Sequence, residues 1–149
     1  MAPNNMTIER FDRTNEATVK FLLVAAQLPV ADLCLSKLEH FIVARNADGA
    51  LIGAVGLEPF GEVGLLRSLV VHTSRRGGGL GQALTRQLEN GALKLGVRSM
   101  YLLTTTAADF FPKLGYRAIE RAEVPEAIAA TEEFKNICPA SAVCMAKTL

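Results

Sequence analysis

Between Val71 and Leu84 the chain reads Val-His-Thr-Ser-Arg-Arg-Gly-Gly-Gly-Leu-Gly-Gln-Ala-Leu. Glycine at 77, 78, 79 and 81 removes the Cβ atoms that hold a bulky anion away from a backbone, and it permits the positive φ angles of an anion nest. From Leu80 the apolar residues Leu80, Leu84, Leu88, Ala92 and Leu95 recur at helical spacing, so the glycines open a helix. Its first N–H groups lack intrahelical acceptors, and its dipole is positive at that end. A strand feeding such a turn predicts phosphate binding, with Arg75 and Arg76 adding charge; a flexible surface turn is the alternative. No Lys-Ser/Thr pair follows, which excludes a Walker loop. The turn comes after an antiparallel meander, far from the N-terminus, which excludes a dinucleotide fingerprint.

Arg67 interrupts an apolar run of Leu65, Leu66, Leu69 and Val70. A guanidinium there is costly unless it meets an anion or points into a wet cleft. The anion is either a substrate carboxylate or an internal partner among Glu58, Glu62 and Glu132. Proton acceptors near this strand are Glu62 at its start, Glu58 on the neighbouring strand and His72 at its end; an exposed turn charge or a strand-end surface residue is the alternative for each. Cys34, Cys138 and Cys144 match neither a disulfide framework nor paired zinc spacing, so they read as reduced thiols and no metal is expected.

The elements that must position these residues follow from period and turn chemistry. Met6–Phe11 reads as a strand. Thr14 or Asn15 caps a helix carrying Ala17, Phe21, Leu22 and Ala25 on one face, stopped by Pro29. Asp32 caps a shorter helix through Lys37. His40–Arg45 and Leu51–Phe60 pair across the Asp48-Gly49 turn, and Gly61-Glu62 returns the chain into Val63–His72, apolar on both faces and hence central. Gly96 stops the helix that begins at Leu80. Arg98–Thr104 is a strand, Ala107–Leu114 a short helix ended by Gly115, and Tyr116–Glu120 a strand. An irregular or helical stretch from Arg121 to Ala140 precedes a last strand near Val143–Thr148.

A chain of 149 residues with net charge +1, half of it hydrophobic and 21% charged, is expected to be one α/β domain spanning 1–149. Scattered lysines and arginines give no footprint for nucleic acid. No apolar run is long enough to cross a bilayer and no leader pattern is visible, so a soluble cytoplasmic protein is expected.

On Arg76, Gly79 and Gly81 in the turn, and on Phe110-Phe111-Pro-Lys-Leu-Gly115-Tyr116, the chain resembles the GNAT acyltransferase superfamily. The resemblance implies a mostly antiparallel twisted sheet splayed at the coenzyme A site and flanked by helices, with acetyl-CoA as cosubstrate. The N–H groups of Gly77, Gly78, Gly79, Leu80, Gly81 and Gln82 would hold the pyrophosphate. Leu69, Val70 and Val71 would pair with the pantetheine arm, and Phe111 and Lys113 would lie near the thioester or the adenine. Leu65 and Phe111 stand where the family often has its glutamate base and tyrosine acid. Glu58, Glu62 and His72 therefore remain open as bases, and Cys138 and Ser141 as donors to the departing thiolate. An α-amine is about one tenth neutral at pH 7, a lysine less than about one part in a thousand, so an α-amine asks little of a base.

Leu102-Leu-Thr-Thr-Thr with Phe110-Phe111 and Gly115-Tyr116 is similar to glutamate N-acetyltransferase domains. The tail Arg121–Pro125, Thr131–Phe134 and Cys138–Ala142 resembles the ArsN-type acetyltransferases of arsenic-resistance operons. These resemblances imply transfer to the α-amine of a glutamate-like acid or a mimic such as arsinothricin or phosphinothricin, with Arg67, Ser68, Thr104, Thr105, Glu132 and Ser141 near the acceptor, and a homodimer. A noncatalytic acyl-CoA sensor and a protein N-acetyltransferase are the other readings.

Overall fold

The computed structural model describes residues 6–137 and 139–149. Its strands are β1 (Thr7–Arg10), β2 (Ile42–Arg45), β3 (Leu51–Phe60), β4 (Val63–Val71), β5 (Ser99–Thr104), β6 (Arg117–Ile119) and β7 (Val143–Thr148), hydrogen-bonded in the order β1-β2-β3-β4-β5-β7-β6. The longer helices are α1 (Glu16–Ala25) and α3 (Leu80–Lys94); α2 (Leu35–Leu38) and α4 (Glu126–Ala129) are single turns. β1–β2, β2–β3, β5–β7 and β6–β7 pair antiparallel and β4–β5 parallel, the mixed α/β sheet expected. β4 is fourth of seven, as its two-sided apolar pattern requires.

Among the described residues, those up to Leu57 together with Ser68–Asn90 pack as one compact unit, and Glu58–Arg67 with those from Gly91 to Leu149 as a second. In the first, Asn46 Oδ1 accepts from the N–H groups of Asp48 and Ala50, each at 3.0 Å, and Gly49 takes φ 84°, closing the hairpin where Asp48-Gly49 placed it. The core gathers Val19, Leu22, Leu23, Leu33, Leu38, Phe41, Val43, Ala54 and Val70. The buried face of α1 is thus Val19, Leu22 and Leu23, whereas Ala17, Phe21 and Ala25 of the expected face are exposed; only Leu22 belongs to both. Along α3 the buried positions are Leu80, Leu84, Leu88 and Ala92, while Leu95 lies beyond the helix and is exposed.

Two glycines of β3 set this packing. A Cβ at Gly53 would meet Leu84 Cδ1 and the Val70 carbonyl oxygen at 3.0 Å, so the missing side chain lets α3 approach the strand. A Cβ at Gly56 would lie only 2.2 Å from Phe41 Cε1 and 2.3 Å from Cζ, overlapping the ring. Gly56→Ala must therefore push a buried aromatic off its seat, and we expect a loss of about 1–3 kcal/mol in urea unfolding. A stability within a few tenths of the parent would show that the ring moves freely.

In the second unit β7 lies between β5 and β6, pairing Tyr101 with Ala146 and Ala118 with Met145. Leu65, Leu103, Ile128, Phe134, Ala142 and Cys144 form its core. The helix expected at Ala107–Leu114 is a 3₁₀ turn confined to Phe111–Leu114, ended by Gly115 at φ 99°. Between Arg121 and Ala140 the chain forms a 3₁₀ turn, α4 and a π-helix at Glu133–Ile137.

Candidate active site

β4 ends at Val71 and passes through a short 3₁₀ turn, Thr73–Arg75, before the glycines. His72 fixes that passage. Its N–H donates to the Ile52 carbonyl at 2.7 Å, its carbonyl accepts from the Arg75 N–H at 2.8 Å, and its ring Nδ1 accepts from the Ser74 N–H at 3.2 Å. Arg76 Nε donates back to the Val71 carbonyl at 3.2 Å. Gly77 and Gly79 take φ values of 86° and 85°, where a side chain is strained. A Cβ at either would have nothing within 4 Å, so the glycines are not there to make room for other parts of this chain. The first bond of α3 is from the Ala83 N–H to the Gly79 carbonyl at 3.0 Å, which puts the N–H groups of Gly79, Leu80, Gly81 and Gln82 ahead of the helical ladder. Residues 77–79 and Gln82 are exposed. A four-turn helix thus presents its positive end at an open, side-chain-free surface, which suits a phosphate.

The second arrangement is a buried ion triad in the second unit. Arg67, with a side chain 0% exposed, donates through Nη1 to Glu58 Oε2 at 2.8 Å, and its Nε lies 3.2 Å from Glu133 Oε2. Of the alternatives open from sequence, the internal pair is the one present, with Glu58 as foreseen and Glu133 in place of its neighbour Glu132. Glu132 is exposed and accepts from Asn136 Nδ2 at 2.9 Å. Glu133 is buried at the first position of the π-helix. Arg121 pins the same segment: Nη2 donates to the Phe134 carbonyl at 2.8 Å, Nη1 to the Pro139 carbonyl at 2.9 Å, and the guanidinium lies 5.5 Å from the Phe134 ring centroid. One residue after Arg67, Ser68 takes φ 61°. No glycine marks this positive φ within β4, so sequence reasoning missed it, and such a conformation costs about 1–3 kcal/mol that the surrounding structure must offset.

The remaining candidates are more dispersed. Glu62 is exposed at the end of β4 opposite the glycine turn, and its carbonyl accepts from the N–H groups of Arg98 and Ser99. Leu69 and Val71 are half-buried and Val70 is buried. Phe111 is buried edge-on between Phe110 and Tyr116, with centroids 5.1 and 5.5 Å away, while Lys113 is exposed. Thr104 is buried and its hydroxyl oxygen accepts from the Ala107 N–H at 2.9 Å; Thr105 and Ser141 are exposed. Cys138 lies outside the described residues. The hydrogen bond from Ser36, then the Lys37 N–H, hold the exposed Cys34 thiol below its ordinary range, and burial pushes the Cys144 thiol up. Among the described residues no cluster of His, Cys, Asp and Glu suits a metal ion, and no helix is long and apolar enough to cross a membrane.

Comparison with known proteins identifies the family. Residues 37–118 match the model of the acetyltransferase (GNAT) domain. The chain is 32% identical over 91 residues to the amino-acid acetyltransferase of Pseudomonas syringae pv. tomato, covering 60% of this chain and 21% of that protein. It is 30% identical over 102 residues to the amino-acid acetyltransferase of Pseudomonas paraeruginosa, covering 67% and 23%. The chain therefore spans only about a fifth of these relatives. Its fold superposes on the N-acetylglutamate synthase of Neisseria gonorrhoeae complexed with coenzyme A and N-acetyl-glutamate, with a TM-score of 0.84 at 17% identity, covering 97% of this chain and 35% of that one. It also superposes on Rv2747 of Mycobacterium tuberculosis, in complex with CoA and NLQ, with a TM-score of 0.81 at 19% identity, covering 96% and 99%.

Proposed function

The chain belongs to the GNAT acetyltransferase family, and from that premise we propose that it transfers acetyl from acetyl-CoA to the α-amino group of a small glutamate-like amino acid. The observation that carries the donor is the glycine turn. The N–H groups of residues 77–82 at the head of α3, with Arg75 and Arg76 beside them, would hold the pyrophosphate. Leu69–Val71 would pair with the pantetheine arm, and Phe111 and Lys113 would lie near the thioester or the adenine. Acetyl-CoA enters as substrate and supplies an activated thioester carbonyl.

The acceptor class is supported by the amino-acid acetyltransferases that the chain resembles at 30–32% identity. Within that class we favour glutamate or an acidic mimic, including arsinothricin and phosphinothricin, on the threonine run that begins at the end of β5 and the tail at Arg121–Pro125 and Thr131–Phe134. An α-amine needs little help to lose its proton at neutral pH. Holding it beside the thioester carbonyl then supplies most of the catalysis. Glu58 is the carboxylate we assign to the amine, since Glu62 lies at the far end of β4 and the His72 ring is engaged in the turn.

The test is acetyl transfer from acetyl-CoA to a panel of amino acids, acidic mimics and peptide amines, followed by mass of the product. Acetylation of glutamate or a mimic, with little on peptides, supports the reading. Acetylation of peptide amines alone, or of nothing, contradicts it.

A further inference from the structure

The buried triad bears on how the acceptor is received, an inference resting on the amine-acetyltransferase reading above. Arg67 has Nη1 and Nε committed to two protein carboxylates. An acid seeking its guanidinium would have to displace a buried glutamate. Within the triad one guanidinium faces two carboxylates. Exposure is graded: the Arg67 side chain is 0% accessible, Glu133 4% and Glu58 10%. What the triad shows to an incoming molecule is therefore a carboxylate. Ser68, the next residue, takes φ 61° within β4.

We propose that the Glu58–Arg67–Glu133 triad receives the acceptor through its amine, with Glu58 as the contact and Arg67 and Glu133 as positioning residues behind it. Arg67 holds Glu58 in one orientation. Glu133 occupies the Nε side of the guanidinium, so that Arg67 does not serve as a carboxylate receptor. The π-helix and the Arg121 clamp on Phe134 and Pro139 keep Glu133 in place. The acidic groups of a glutamate-like acceptor are then recognised by other parts of the protein.

Equilibrium binding of L-glutamate and of glutarate, the same diacid without its amine, to the full chain in the presence of CoA decides the matter. Glutamate is expected to bind more tightly by about tenfold or more, within the coupling measured for close charge pairs. Glu58→Gln should bring the ratio close to one. Glu133→Gln should reduce it, and Glu133→Asp should restore it. A purely structural role for Glu133 would weaken both ligands alike and leave the ratio unchanged. Glutarate binding as well as glutamate, binding of neither, or an unchanged ratio in Glu58→Gln overturns the proposal. The wild-type ratio decides it even where a variant fails to fold. Amine preference without acetyl transfer would contradict the enzymatic reading and leave the triad's role standing; transfer without amine preference would do the reverse.

Discussion

Gly79→Ala is expected to weaken CoA binding by about tenfold to a hundredfold, while unfolding in urea shifts by only about 1–2 kcal/mol. The stability loss is the cost of holding a Cβ at φ 85°; nothing in the chain lies within 4 Å of that Cβ, so no clash adds to it. The binding loss is larger because a charge-assisted hydrogen bond to phosphate contributes about 1.5–3 kcal/mol, and a displaced turn misdirects at least one. Gly49→Ala is the matched control. It has φ 84° and the same open surroundings, but it sits in the hairpin between β2 and β3. It should show the same stability loss with CoA affinity intact. Equal effects of the two variants on CoA, read by calorimetric titration, would mean that the glycine turn has no special part in binding.

The second large effect is on stability. Arg67→Met removes the only cation that the triad supplies to Glu58 and Glu133, both buried, and breaking such a pair costs about 3–5 kcal/mol. Against a typical total of about 5–15 kcal/mol this is a large share, and the midpoint of urea unfolding at pH 7 should fall steeply. Replacing all three members, as Glu58→Gln, Arg67→Met and Glu133→Gln together, should recover much of the loss, because the unpaired charges go with the partner. A single Arg67→Met change costing under about 1 kcal/mol would contradict a buried, mutually dependent triad.

Much of this was legible in the chain because local chemistry and tertiary demand agree. Asp48-Gly49 closes a hairpin wherever two alternating runs flank it, and β7 occupies Val143–Thr148 as read. The positive φ values at 77 and 79 were legible because glycine is the residue that adopts them without strain. The face of α1 was not, because Glu16–Ala25 is apolar nearly all round. Two helical stripes then fit equally well, and tertiary packing chose Val19, Leu22 and Leu23 over the stripe with Phe21. The left-handed backbone at Ser68 left no trace because serine is not the residue that positive φ selects. Glu132 and Glu133 are adjacent acids, and no residue pattern announces which one is buried. Arg67 was recognisable as a cation needing an anion, but the identity of that anion is a tertiary fact.

The most direct test of donor recognition is a crystal structure with acetyl-CoA bound. The pyrophosphate is expected within hydrogen-bond distance of the N–H groups of residues 77–82 at the head of α3. A pyrophosphate bound elsewhere on the chain, or no bound acetyl-CoA at saturating concentration, would contradict the assignment.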